Sequence, residues 1–81
     1  MPGAHDVRDR VEKIDEEIHR LLEDRRALCE EAWEEDPEFI GAEFEADVRS
    51  QWEAYADERE WKMGAAMRIC GGIVDLCRKS E

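Results

Sequence analysis

The chain has 81 residues, with 12 Lys and Arg against 23 Asp and Glu, a formal net charge of −11, and 43% charged and 42% hydrophobic residues. So acidic a chain is a poor partner for nucleic acid or an anionic membrane, and its apolar content with three Trp argues against disorder. The scarcity of Gly and Pro favours helix over sheet, and an all-α single domain over residues 1–81 is expected. A lone chain of this size buries only about 60% of its unfolded surface, so oligomerisation is a natural remedy.

Residues 1–5 are expected to be disordered, with Asp6 capping a first helix that runs to about Glu35. Its apolar positions Val7, Val11, Ile14, Ile18, Leu21, Leu28 and Ala32 fall at spacings of four and three, the repeat that lines one seam of a long helix. Asp36-Pro37-Glu38 reads as the start of a second helix, because Asp caps, Pro is tolerated at the first helical position and Glu suits the positive end of the dipole. There Ile40, Phe44, Val48, Trp52 and Tyr55 recur every three or four residues, an apolar stripe expected to pack on the first helix. A third helical pattern runs from about Trp61 through Met63, Ala66, Met67, Cys70, Ile73, Val74 and Cys77. Between them Asp57-Glu58-Arg59-Glu60 contains neither Gly nor Pro, so one continuous helix is an alternative to a turn near 57–61. A turn is preferred because a hairpin buries more apolar surface. Gly71-Gly72 costs on the order of 1 kcal/mol per Gly relative to Ala, a cost that close approach of another helix would offset.

Cys29, Cys70 and Cys77 are odd in number, and Cys70 and Cys77 lie two turns apart on one helix, too far to bridge. Free, mostly buried thiols in a reducing cytoplasm are expected. No cationic leader with an apolar core opens the sequence, and no apolar run is long enough to cross a membrane. His5 and His19 both read as solvated, which leaves no Cys–His pair for nucleophilic catalysis. No zinc spacing, phosphate-binding glycine loop or nucleophile elbow is present, so neither metal nor cofactor is expected.

One residue interrupts the seam of the first helix. Between Leu21 and Leu28 the repeat asks for an apolar side chain at 25, and the sequence has Arg25, costly to bury unless an anion meets it. The bland reading is that Arg25 snorkels to solvent or pairs with a Glu. Arg8 lies on the flank of the same stripe, 17 residues earlier, or roughly 25 Å along the axis, too far for one small ligand to bridge within a chain. If two copies of the helix cross antiparallel about a two-fold axis near residues 16 and 17, residue i lies opposite residue 33 minus i. Arg8 of one chain then meets Arg25 of the other, and two basic pockets form, each built from both chains.

The segment VRDRVEKIDEEIHRLLEDRRALCEE resembles the first helix of the all-helical chorismate mutases, in Arg8, Ile14-Asp15, Leu21-Leu22 and Arg25-Arg26. The resemblance implies a three-helix chain in an entwined homodimer, with a turn between the second and third helices and with Arg8 reaching across the interface. It further implies the pericyclic rearrangement of chorismate to prephenate, a step of aromatic amino acid biosynthesis that needs no covalent nucleophile, metal or cofactor. Arg8, Arg25 and Arg49 match family arginines, and Glu81 falls where a Gln usually donates to the ether oxygen. A Glu there donates only when protonated, which favours acidic pH.

The sequence also departs from the family. Asp36 occupies the position of a substrate-contacting Lys, Ala46 stands for Asp, and Ser50 stands for the Glu that holds the substrate hydroxyl. Lys62 or Arg68 of the third helix could supply the missing cation, Arg68 being the better placed, one turn from Gly64 and Gly71. Without it, several kcal/mol of transition-state stabilisation is lost, a factor of about 10³ or more in rate. The expected function is therefore a chorismate mutase of reduced efficiency, with an activating protein partner as one remedy. The alternatives are a relative with a changed reaction, such as pyruvate elimination from isochorismate, and a non-catalytic acidic helical dimer or adaptor.

Overall fold

The computed structural model describes residues 3–38 and 41–78. They form three helices, α1 (Ala4–Glu35), α2 (Ala42–Glu58) and α3 (Met63–Leu76), and no strand occurs among the described residues. The chain is therefore all-α. No helix among these residues is long and apolar enough to cross a membrane.

Helix α1 contains no Gly or Pro over its 32 residues, and Arg–carboxylate pairs one turn apart brace its surface: Asp6 with Arg10, Arg8 with Glu12, Arg20 with Glu17 and Asp24, and Arg26 with Glu23. It opens on Gly3 as N-cap, earlier than expected, which puts Asp6 inside the first turn, where its charge faces the positive end of the dipole.

The other end corrects the reading of Asp36-Pro37. A residue before proline is pushed out of the α region, and Asp36 is extended (φ −149°, ψ 97°), closing α1 with its N–H on the Ala32 carbonyl at 2.8 Å. Its Oδ1 accepts the Glu38 N–H at 3.1 Å, the turn that Asp forms with its own backbone two residues on. Asp36 thus ends α1 instead of starting α2, which begins at Ala42 behind Gly41. Ile40, placed on the second stripe, lies outside the described residues.

The expected break near 57–61 is present. Arg59 closes α2, the Glu60 N–H bonds to the Asp57 carbonyl, and the Trp61 N–H reaches back to the Ala56 carbonyl at 2.9 Å. This is a Schellman closure, in which the position after the cap must be left-handed. Glu60 takes it at φ 56°, a conformation usually given to Gly, so composition gave no hint of it.

Helices α2 and α3 pack as a hairpin around Val48, Cys70 and Val74, with Phe44, Trp52 and Met67 against them. Ala56 and Ala66 are buried at the turn end. Helix α1 meets this hairpin near its C-terminal end, where Cys29 and Cys77 form a second small cluster with Ala32, Trp33 and Phe44. The rest of α1 projects beyond it, consistent with a molecular envelope of 52 × 26 × 18 Å and a helix length of about 48 Å. Val7, Val11, Ile14, Ile18, Leu21 and Leu28 are consequently 46% to 65% exposed. The stripe of α2 is covered chiefly by α3, which corrects the expectation that it packs on α1. Gly71 and Gly72 face open space, so nothing in the single chain exploits their small size.

Candidate functional site

Arg25 reaches the hairpin from α1 and is half-buried there. One guanidinium nitrogen, Nη1, donates to the Cys77 sulfur at 2.9 Å and to the Cys29 sulfur at 3.9 Å. Cys29 is one helical turn further along α1, while Cys77 closes α3, so the guanidinium spans two elements. Phe44, Glu45 and Val48 of α2 and Val74 of α3 complete the enclosure. About 10 Å³ remains free inside it, room for roughly one water.

The carboxylate of this enclosure is already taken. Glu45 receives Arg78 Nε at 2.9 Å, and Arg78 also reaches Asp75 at 2.9 Å. Among the described residues no carboxylate lies within ion-pair distance of Arg25. Burial pushes the Cys29 thiol above its ordinary value of 9.0, the neighbouring Cys77 adds to the shift, and Arg25 opposes it more weakly. Cys29 is therefore a neutral thiol near pH 7, and the positive charge of Arg25 is left for an anion.

Beside the enclosure lies a larger groove of about 340 Å³ between the end of α1 and the end of α3, bordered by Trp33 and Glu30 on one side and by Leu76, Cys77 and Arg78 on the other. The Trp33 indole donates to the Cys77 carbonyl at 3.5 Å across its floor. Cys77 thus separates the Arg25 enclosure from an open groove.

Within one chain, of the expected residues that are described, the structure brings only Arg25 to this junction. Arg8 is exposed far along α1, beside Glu12 at 3.8 Å. Arg49 is also exposed, because the α2 residues turned toward Arg25 are Phe44, Glu45 and Val48, and the next residue is rotated by about 100°. Ser50 lines a separate open depression with Glu53, Asp57 and Met63. Asp36 sits at the end of α1, and Arg68 is exposed on α3 with its Nη1 lying over Gly64. Lys62 is the exposed N-cap of α3, and Glu81 lies outside the described residues. The sequence reading missed Cys29, Cys77 and Glu45 as neighbours of Arg25, and Arg78 as the partner of Glu45. Only Cys29, one turn beyond Arg25, carried a local signal.

The fold and site thus define an all-α chain of three helices with an arginine enclosed at their junction and a long apolar seam left bare. No family model matches the sequence, and no curated protein or solved structure matches it with significance.

Proposed function

We propose that the chain is a chorismate mutase acting as an entwined homodimer, two copies crossing antiparallel through the bare seam of α1. The observation that carries this reading is Arg25, a half-buried guanidinium without a carboxylate partner among the described residues, on a helix whose apolar face is uncovered. In the dimer, Arg8 of the second copy approaches Arg25 and each pocket is built from both chains.

The reaction is unimolecular. The ether C–O bond of chorismate breaks as a new C–C bond forms, and no atom leaves. The protein's task is to hold the compact conformer and to place positive charge beside the oxygen that becomes negative. Arg25 and Arg8 hold the carboxylates by forked hydrogen bonds, and Arg49 and Arg68 add positive field from the rim. Glu81, protonated, donates to the ether oxygen. Substrate entry requires the Cys77 sulfur to give up its place on Arg25, since the free space there holds about one water. Three free thiols suit a reducing, cytoplasmic setting, and an activating protein partner would offset the absence of the family's Lys.

That same small enclosure, with Arg49 and Ser50 turned outward, favours as second reading a non-catalytic helical dimer. Incubating the purified protein with chorismate across pH 5–8, with NMR identification of the product, separates the two. The mutase reading expects prephenate, a loss of at least about 10²-fold in Arg25→Ala, and activity that rises toward acid through Glu81. Chorismate left unchanged by a well-folded protein overturns it, and pyruvate release from isochorismate would replace it with an elimination on the same scaffold.

A further inference from the structure

Two buried thiols on different helices share one guanidinium nitrogen, at 2.9 Å for Cys77 and 3.9 Å for Cys29. Their sulfurs are near neighbours in one cluster, and each interacts with the other as well as with Arg25. The third thiol, Cys70, is fully buried in the separate core between α2 and α3. The open groove bordered by Cys77 gives a small oxidant a route to the pair, whereas Cys70 has no exposed surface.

We propose that Cys29 and Cys77 are a redox pair that closes to an intrachain disulfide under peroxide, pinning α1 to the end of α3 beside Arg25. One thiolate attacks a peroxide oxygen, the O–O bond breaks, and a sulfenic acid forms with release of water. The second thiol then displaces the sulfenic hydroxyl as water, so two thiols and one hydrogen peroxide give one disulfide and two waters. Helix α1 meets the hairpin through few side chains, so its end can move the short distance that bond formation requires. The oxidised bond fixes Cys77 against α1 and removes the freedom by which its sulfur could leave Arg25 to another partner. The inference rests on the thiol geometry and is independent of the reaction proposed above.

The test is to treat the full chain with hydrogen peroxide and then count thiols, measure intact mass and map peptides without reduction. The expected result is a fall from three free thiols to one, a mass loss of about 2 Da and a Cys29–Cys77 peptide within a single chain. The thermal midpoint should rise by several degrees and return on reduction. Cys70→Ala should still lose two thiols, whereas Cys29→Ser should form no intrachain disulfide. Retention of all three thiols, linkage to Cys70 or between chains, or oxidation of single thiols without a cross-link would each overturn the proposal.

Discussion

Arg25 and Cys29 sit one turn apart on α1, yet the hairpin treats them differently. The guanidinium keeps enough contact with water to remain hydrated while one nitrogen is drawn to sulfur, a weak acceptor that does not neutralise its charge. Cys29 is buried, and burial raises its thiol pKa above the ordinary 9.0. A group whose pKa is raised on folding contributes stability below its unfolded value and loses that contribution as pH climbs through the folded value. Stability should therefore decline above about pH 9. In Cys29→Ala the decline should be shallower, at a cost of about 1 kcal/mol near neutrality from the lost sulfur packing. Urea unfolding at a series of pH values, in reductant, measures both, and identical alkaline slopes would remove Cys29 as the cause.

The ends of the helices show how differently local chemistry can be read. Asp36-Pro37 contains every ingredient of a helix start, but proline restricts the residue before it as well as itself, and here that restriction ends α1. The turn after α2 is the converse case, since Glu58-Arg59-Glu60 looks helical throughout and yet makes a Schellman closure. Glu60 holds a left-handed φ of 56°, costing roughly 1–2 kcal/mol for a residue with a Cβ. Glu60→Gly should accordingly stabilise the chain by about 1 kcal/mol, less a little for the greater freedom of glycine when unfolded. Chemical denaturation with an unchanged m-value would register the gain, and destabilisation would mean that the Glu60 side chain supplies something the backbone account omits.

For the molecule as a whole, the bare seam of α1 is the main imbalance. Fully burying a Val, Leu or Ile side chain is worth about 1.5–3 kcal/mol, and six such residues on one face stand about half exposed, while α1 contributes only Cys29 to the buried core. Helix propensity and surface ion pairs alone give a marginal helix in water, and the proposed pairing of two seams would bury the face that the single chain leaves bare. In the proposed dimer, Leu21→Asp, which removes no contact in the α2–α3 core, should break the pairing and leave a monomer with reduced helicity. Analytical ultracentrifugation and far-UV circular dichroism follow this directly, and an unchanged dimer would exclude the seam as its interface.

The sequence by itself determined what depends on neighbours along the chain: an all-α composition, the apolar seam of α1 and its end near Glu35. Those properties follow from propensity and a 3.6-residue period, which are local. Which residues meet Arg25 was decided only by the tertiary structure. That choice depends on how far α3 runs past α1 and on the rotation of α2, where a step of one residue turns the side chain by about 100° and exchanges Arg49 for Val48 at the junction. Cys77 and Arg78 lie far from Arg25 in sequence, and no periodicity within α1 carries information about the end of another helix.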